Sequence, residues 1–571
     1  MTQAGNVVRS RLVERFIDAA AHPIVLVVAA AGYGKSVALD GYVDVLGDRC
    51  VRFDVGPEHR TLAGFIRGLS DACGSPEGAC DAVIIDGLDV VQANAELVGF
   101  LVGLIERTKS QLRWILASRS TVGLPLGTWL ARGDCDLPVD ADDLRCTLDE
   151  AADAAHEFGF VAEEDELADI LRFTEGWPVG VNVALRASLR SPDRQKLRGI
   201  VRDAARRFWE EQVCPGLDPD ERALLAIAAV LPEIDTHVLD LAGFKHAKRT
   251  VDTLGARTSL IEEVSGNLYR CPELFVDFLR RQTELLAAAE RHAIYSRAAR
   301  ALESAGNVES ALDAYVTAGS QDDVLRLLES CGFDLLERGR GDAASRAIES
   351  LKETTRRNSP RILALRGVLQ SLAGNPVRAE ALLRRSLSRA QGDRDLVGFA
   401  RLRLAPLIAN YGSDVADILI PVADDPLQPV AIRAEALSLL ATARAIIGEQ
   451  AAARKAVASV EKLLIDIDHD STRARILQRV GVAAMYIGET DRARQALVQA
   501  ADLANELNLY SIACRAWCAL SNLMCHEYDD VMSQLWYAEK AAVAATKSGD
   551  ALELQTALLQ VAAAEMRRGN A

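Results

Sequence analysis

A strand, loop and helix pattern near the amino terminus constrains this 571-residue chain more than any other feature. The run Ile24–Val28 is short, apolar and rich in β-branched residues, as is typical of a strand buried on both faces. The loop AAAGYGKS follows, and apolar residues then recur at helical spacing. Gly34, Lys35 and Ser36 match the pattern G-x-x-x-x-G-K-S/T, with Ala29 in place of the first glycine. Because the flanking elements also fit, the pattern predicts a phosphate-binding loop rather than an ordinary turn.

Each residue of this loop from Gly32 onward has a predicted role toward a nucleotide. Backbone N–H groups at the start of the helix would bind phosphate oxygens, because they carry the positive end of the helix dipole. Lys35 would neutralise the outer phosphate oxygens, and the Ser36 hydroxyl would bind Mg²⁺. The predicted cofactors are therefore ATP or ADP with Mg²⁺. The predicted contacts in the loop are Gly32, Tyr33, Gly34, Lys35, Ser36 and Val37.

Two further apolar runs end in polar residues that suit the same chemistry. The string DAVIIDGLDVV predicts a strand that ends at Asp86, whose carboxylate would hold the Mg²⁺ water shell. Asp89 would orient or deprotonate a water, or it is simply a solvated acid. The string RWILASR ends at Arg119, which would sense the γ-phosphate or pair with a surface acid.

Between residues 24 and 137, apolar strand patterns alternate with helical patterns. After the first strand come CVRFDV, the two strands described above and a short CDLPV. Alternating strands and helices predict a parallel sheet covered by helices. A nucleotide is expected at the carboxyl ends of such strands.

Four strings resemble a single family, the signal-transducing ATPases with numerous domains (the STAND class). They are VVRSRLVERF, AAGYGKS, DLRCTLDEAADAA and TEGWPVGVNVAL. The resemblance covers about residues 7–290, and within the class it is greatest to bacterial regulators like the maltose-regulon activator and its large LuxR-type relatives. The string IIDGLD is more similar to the NACHT branch. The resemblance implies that adenine is held by Val8, Arg9, Arg11, Trp177 and Pro178.

The resemblance also implies a division into domains. Residues 1–160 would bind the nucleotide, and residues 161–215 would form a helical domain with the Gly-x-Pro element. Residues 216–285 resemble a winged-helix domain, which in this class packs against the others rather than binding DNA. The family often places a histidine before the Leu-Phe pair of this domain, where this chain has Pro272. Independently of the resemblance, the residue types predict that Gly176 ends a helix and that Pro178 begins the next one.

From about residue 286 to 571, strand patterns give way to similar helical units. The units recur about every 33–41 residues, which predicts a solenoid of helix pairs of the tetratricopeptide type. Such an array would bind a peptide, a protein or a small inducer. The last unit has one helix only, so we expect the sequence to be a fragment of a longer protein. The predicted turn glycines are Gly306, Gly341, Gly374, Gly412, Gly448 and Gly488.

Composition limits the remaining possibilities. A net charge of -16 disfavours binding of nucleic acid along the whole chain. Eleven cysteines without a framework spacing indicate thiols in a reducing cytoplasm. No apolar run approaches the ~20 residues of a membrane span, so no membrane partner is expected. Cys514, Cys518, Cys525 and His526 lack the spacing of a metal knuckle, and buried thiols are the better interpretation.

These features predict a nucleotide-dependent switch. ADP would hold a closed monomer, and an inducer on the array would favour an open, ATP-bound form that self-associates. DNA would be reached only through a domain outside this chain. The alternatives are a helical scaffold with a degenerate nucleotide site and a phosphate-transferring enzyme such as a small-molecule kinase. The long array favours the switch over the kinase.

Overall fold

The computed structural model describes residues 9–569 except 75–79, 92–93, 122, 160–161, 190–192, 259, 339, 391, 409–412, 468–469 and 549–550. The chain divides into two compact units, Met1–Ala314 and Tyr315–Ala571, which are described separately. Within the described ranges, every helix is too short or too polar to cross a bilayer.

The first unit contains a four-stranded parallel sheet in which the order of the strands in space is first, fourth, third and second along the chain. Isolated parallel bridges join Ile24 to Cys135 and Val27 to Val139, so the segment CDLPV runs beside the first strand. The predicted parallel sheet and its strand positions are confirmed. The strands are β1 (Ile24–Val28), β2 (Cys50–Asp54), β3 (Ala82–Asp86) and β4 (Arg113–Ser118).

Helices cover this sheet because β1, β3 and β4 are largely apolar on both faces. A core of buried side chains that includes Leu26, Phe65, Leu101 and Trp114 joins the strands to the helices. The helices are α1 (Ser10–Ala19), α2 (Lys35–Leu46), α3 (Leu62–Cys73), α4 (Ala95–Thr108), α5 (Leu126–Arg132), α6 (Ala141–Leu144) and α7 (Leu148–Glu157).

Three helices follow: α8 (Glu164–Thr174), α9 (Pro178–Ser188) and α10 (Arg194–Gln212). The turn between α8 and α9 contains two successive residues with positive φ, Glu175 and Gly176. Pro178 then opens α9, where its missing N–H costs no helical hydrogen bond. The predicted helix end and helix start at these positions are therefore confirmed.

A small three-stranded antiparallel sheet with four helices comes next, and its third strand along the chain lies between the first and the second. Asp218 and Glu221 form a capping box at the start of the first of these helices. The elements are α11 (Pro219–Ala228), β5 (Ile234–Asp235), α12 (Thr236–Leu241), α13 (Ala247–Thr258), β6 (Glu262–Ser265), β7 (Leu268–Arg270) and α14 (Glu273–Glu284).

The first unit also includes helix α15 (Ala288–Ser304), followed by α16 (Val308–Ala318). The sequence places the array boundary at residue 286, whereas the compact unit extends to Ala314. The reason is that α15 packs against α11 and α12. Arg297 of α15 lies over the Phe244 ring at 4.3 Å and donates a hydrogen bond to the Ala242 carbonyl.

The described part of the second unit contains helices and no strand. They are α17 (Gln321–Glu337), α18 (Gly341–Ser350), α19 (Glu353–Asn358), α20 (Pro360–Leu372), α21 (Pro376–Leu387), α22 (Arg394–Leu404), α23 (Ser413–Ala423), α24 (Val430–Ile446), α25 (Gln450–Leu464), α26 (Asp470–Tyr486), α27 (Thr490–Glu506), α28 (Tyr510–Leu523), α29 (Val531–Ser548) and α30 (Ala551–Arg568). From α24 onward, each helix packs on the next one, and alternate helices also touch.

Most of the predicted turn glycines have the required left-handed backbone. Gly306, Gly374, Gly448 and Gly488 all have positive φ. The prediction for Gly341 is wrong: this residue is the first of helix α18 and does not have the left-handed backbone of a turn glycine. The sixth position, residue 412, lies outside the described residues.

A buried ion cluster joins two neighbouring helices of this unit. The Glu435 carboxylate of α24 lies 2.8 Å from Arg475 and 3.2 Å from Arg479, both on α26. Burial alone would raise the pKa of Glu435, but Arg475, Arg403 and Arg479 outweigh it and lower the pKa to about 2. The cluster therefore holds a charged carboxylate inside the helical array.

Candidate functional site

The phosphate loop lies between β1 and α2 and depends on two glycines. Gly32 has φ of +83° and Gly34 has φ of +76°, a conformation that side chains with a Cβ adopt at a cost. Ala29 is fully buried, and its N–H donates to the Ser118 carbonyl at 3.3 Å. A small residue is thus sufficient at the first position of the pattern. Helix α2 begins at Lys35, so its first amides have no acceptor within the helix.

Lys35 folds back over the loop that precedes it. Its Nζ donates to the carbonyl oxygens of Ala29 at 2.6 Å and Ala30 at 3.0 Å. Burial lowers the pKa of Lys35 to about 8; Asp89 and Asp86 oppose this shift, whereas Arg119 adds to it. An anion beside this ammonium would stabilise its charged form.

The structure brings the predicted acidic and basic residues together near Lys35. Asp86 ends β3, is 7% exposed and pairs with Arg52, whose Nη2 lies 3.0 Å from Oδ2. Asp89 follows in a short turn and pairs with Arg119 at 3.2 Å. Arg119 also donates to the carbonyl of Gln212 at 2.9 Å and to its Oε1 at 3.2 Å. The residues predicted to act on a phosphate therefore also reach the end of α10.

A cavity of about 390 Å³ opens beside these residues. Its wall contains one loop residue, the Asp89 and Arg119 pair, the end of α10 and part of α13. The lining includes Ala31, Asp89, Arg119, Ser120, Gln212 and Arg257. The cavity therefore combines acidic and basic side chains at the carboxyl edge of the sheet, where ligands of parallel sheets bind.

The Trp177–Pro178 turn lies directly on the phosphate loop. Trp177 is buried, and its Nε1 donates to the Ala31 carbonyl at 3.4 Å. The N–H of Val179 donates to the Gly32 carbonyl at 3.3 Å. Pro178 lies close to Gly34, since a Cβ at that glycine would stand 3.9 Å from the proline Cβ. The loop and the Gly-x-Pro element thus form one packed structure.

Gly32→Ala is expected to destabilise the first unit more than a matched change at Gly47. A Cβ at Gly32 would lie 2.7 Å from the Trp177 Nε1, whereas one at Gly47 would meet nothing within 4 Å. Both glycines have positive φ, so Gly47→Ala measures backbone strain alone, at roughly 1–3 kcal/mol. Gly32→Ala should cost about 1–3 kcal/mol more from overpacking. Urea unfolding followed by circular dichroism measures both.

The double variant Gly32→Ala, Trp177→Ala completes this test. Without the indole the two closest contacts of the new Cβ are gone and only an approach of 3.0 Å to Phe208 remains, so the double variant should be more stable than the sum of its two single changes. Simple additivity would contradict the close contact between the loop and the tryptophan.

Aromatic rings continue from Trp177 to helix α14. Trp177 stacks on Trp209 of α10 with ring centroids 5.2 Å apart, and Trp209 meets Phe275 of α14 edge-on at 5.2 Å. The N–H of Glu273, the first residue of α14, donates to the Glu175 Oε1 at 2.8 Å. Residues that touch the phosphate loop are thus packed against the last helix of the small β-sheet region.

A second connection runs through the Tyr33 side chain. Tyr33 is buried, and burial raises the pKa of its hydroxyl despite the opposing charge of Arg145. Arg145 lies 4.0 Å from Glu262 of β6. The loop is therefore connected to the β-hairpin through Arg145, and to the helix that follows it through Trp177 and Trp209.

The residues that the family resemblance assigns to adenine are only partly brought to the loop. Arg9 donates to the Leu144 carbonyl at 2.8 Å and pairs with Glu150 at 2.7 Å. Arg11 pairs with the same carboxylate at 3.2 Å. Both guanidinium groups are thus held by the α6–α7 segment, and Val8 lies outside the described residues.

The oxygen donors near the loop suit Mg²⁺. Ser36 is exposed at the start of α2, and Asp86 supplies a carboxylate, both of which are hard ligands. Mg²⁺ in phosphate-loop proteins is held by few protein groups and completed by phosphate oxygens and water. Among the described residues, no three His, Cys, Asp or Glu side chains form a separate metal cluster, and this includes the cysteines of α28.

Sequence reasoning missed three participants of this region: Arg52, Gln212 and Trp209. The alternation of Arg52 and Asp54 within CVRFDV is a visible signal, because it puts both side chains on one face of β2. Gln212 and Trp209 gave no local signal, since their partners lie far away in sequence.

No family model and no curated protein sequence matches this chain. Among solved structures, it is similar to a signal transduction ATPase with numerous domains and a tetratricopeptide repeat sensor from Pyrococcus horikoshii, at 14% identity over 98% of this chain and 80% of that one, with a TM-score of 0.31. A Walker-type ATPase of Pyrococcus abyssi matches at 15% identity over 48% of this chain and 95% of that one, with a TM-score of 0.36. A Rap protein complexed with competence and sporulation factor matches at 11% identity over 59% and 80%, with a TM-score of 0.33. At such scores, these similarities define neither the fold nor the activity of this chain.

Proposed function

We propose that the chain is a nucleotide-dependent switch of the STAND class. ATP or ADP would bind with Mg²⁺ at the phosphate loop of the first unit, and the helical array of the second unit would bind an inducer or protein partner. ADP would favour the closed arrangement, and ATP an open form that self-associates. The natural role would be transcriptional regulation or its sensory part, with DNA reached through another domain.

One observation carries this proposal: the phosphate loop is packed against the turn that holds Trp177 and Pro178. Trp177 of that turn stacks on Trp209, which in turn contacts Phe275 of α14. A ligand that moved the loop would therefore disturb the contacts that hold α14. This is the physical requirement for coupling between a binding site and a domain arrangement.

Each predicted residue has a defined task in such a switch. The amides that open α2 and the Lys35 ammonium would bind phosphate oxygens, while Ser36 and Asp86 would hold Mg²⁺. Asp89 would orient a water, and Arg119 would exchange its contact with Gln212 for one with the outermost phosphate. When bound, Mg²⁺ neutralises phosphate charge. Hydrolysis in this arrangement would be slow and would reset the switch.

The region from α11 to α14 is assigned as the winged-helix domain. Its order of helix, strand, two helices, β-hairpin and helix supports the assignment. Pro272 occupies the place where the family often has a phosphate-binding histidine. In this chain, closure would instead depend on the Glu175–Glu273 hydrogen bond and the aromatic contacts of Phe275.

Hydrogen–deuterium exchange tests the switch directly. With an ATP analogue bound, amides of residues 262–284 should exchange about tenfold faster than with ADP, because opening removes their contacts. Helix α4 is packed in the sheet core and serves as the internal reference. Trp177→Ala should make the exchange of residues 262–284 insensitive to the nucleotide.

The alternatives give different outcomes in the same experiment. A scaffold with a degenerate site would bind neither nucleotide, and its exchange would be unchanged by either one. A kinase would bind ATP and transfer phosphate to a small acceptor, and the exchange of residues 262–284 would follow the acceptor rather than the choice between ATP and ADP. Equal exchange with both bound nucleotides would contradict the switch.

A further inference from the structure

Arg52 lies at the centre of three carboxylates beside the proposed nucleotide site. Its Nη2 is 3.0 Å from Asp86 Oδ2, and its Nε is 2.8 Å from Asp54 Oδ1. Its Nη1 pairs with Asp40 of α2. The Arg52 side chain is 21% exposed, so the guanidinium is largely shielded from water. All three sides of the guanidinium are thus occupied by acids.

The local sequence explains this position. Arg52 and Asp54 are two residues apart on β2, so their side chains share one face of the sheet. The parallel register pairs Asp54 with Asp86 of β3, which brings that carboxylate beside the same face. Helix α2 begins with Lys35 and carries Asp40 further along. Arg52 therefore connects the helix of the phosphate loop to the strand that supplies the proposed metal carboxylate.

We propose that Arg52 competes with Mg²⁺ for Asp86 and so determines how strongly nucleotide binding depends on the metal. While Arg52 holds Asp86, the site binds ADP with little dependence on Mg²⁺. Mg²⁺ gains the carboxylate only when the arginine releases it. This inference rests on the proposed function and deepens it, since it assigns the metal dependence of the same site to one residue.

The physical basis is competition between two cations for one carboxylate. A guanidinium at 3.0 Å neutralises much of the Asp86 charge, and it repels a divalent ion that approaches the same oxygens. Burial would lower the pKa of Arg52, but Asp54, Asp40 and Asp86 outweigh that effect and raise it. The guanidinium stays charged at every accessible pH, so only a rearrangement can remove it.

The experiment compares ADP affinity in Mg²⁺ and in EDTA by titration calorimetry. Wild-type protein should bind ADP with affinities that differ by less than about threefold, whereas Arg52→Gln should bind at least about tenfold more tightly with Mg²⁺. Arg49→Gln is the matched control, because Arg49 pairs with Asp81 just before the amino ends of β2 and β3, away from Asp86, and is 65% exposed. It should behave as the wild type does.

A direct metal measurement accompanies these titrations. Electron paramagnetic resonance of Mn²⁺ with ADP should show tighter metal binding in Arg52→Gln than in the wild type. Arg52→Lys keeps the positive charge, but a lysine ammonium lacks the fork of donors with which the guanidinium reaches three acids at once. The metal affinity of this variant should therefore be intermediate.

Equal metal dependence in wild type and both Arg52 variants would overturn the assignment of Arg52 while leaving ADP binding, and thus the proposed function, intact. If no protein binds ADP with or without metal, the proposed nucleotide site fails and the role of Arg52 fails with it. The two failures are therefore distinguishable.

Discussion

Lys35→Ala is expected to reduce affinity for ADP and ATP by at least about a hundredfold, because it removes the ammonium that faces the phosphate oxygens. Denaturing the purified wild type should release bound ADP, and the variant should release none. The variant should remain folded. Burial makes the charged lysine unfavourable in the nucleotide-free protein, so its loss should not lower the free energy of unfolding.

The pKa of Lys35 also predicts how nucleotide affinity changes with pH. Lys35 has a pKa of about 8 without nucleotide, and phosphate charges raise that pKa in the complex. Binding therefore takes up a proton above pH 8, and affinity should fall by up to about tenfold per pH unit above that value. Lys35→Arg keeps its charge throughout, so any residual binding should be flat from pH 7 to about 10. A wild-type affinity that does not change across this range would contradict the buried lysine.

Glu435→Gln is expected to destabilise the helical array by about 3–5 kcal/mol, because it leaves buried guanidinium groups without their carboxylate. Urea unfolding followed by circular dichroism measures the change in the unfolding free energy. The matched control is Glu461→Gln, whose partner Arg492 is 34% exposed and which is itself 43% exposed. A solvated pair of this kind is worth about 0–1 kcal/mol. Similar losses in both variants would contradict a special role for the buried cluster.

Acid titration provides an independent check of the same cluster. The folded-state pKa of Glu435 is about 2, below its ordinary value of 4.5. Its contribution to stability is therefore complete above pH 4.5 and declines as the pH falls toward 2. Wild type and Glu435→Gln should converge in stability over that interval and differ most near neutral pH.

Local sequence patterns predicted the framework of the first unit. The strand at Ile24–Val28, the loop glycines and the helix that opens at Pro178 all depend on residues close in sequence. β-Branched apolar runs, left-handed glycines and proline at a helix start have local physical causes. For the same reason, the repeated glycine turns indicated the helical array.

Interactions between distant segments could not be predicted in the same way. The Arg52–Asp86 pair depends on the register of two strands, and the Arg119–Gln212 contact joins residues 93 positions apart. No periodicity encodes either one. At Gly341, by contrast, a local signal was present but misleading. A glycine at repeat spacing predicts a turn, but glycine is also tolerated at the first position of a helix, where less of the helical backbone is fixed.

The local packing from α24 to α30 has a consequence under tension. Since each helix packs mainly on the first and second helices next to it along the chain, a force applied to the ends would detach one helix pair without first breaking contacts between distant parts of the array. Each pair of about 35 residues would then add roughly 120 Å of extension. The array would thus unfold in steps under force. A partner bound across several pairs would raise the force at which those pairs unfold.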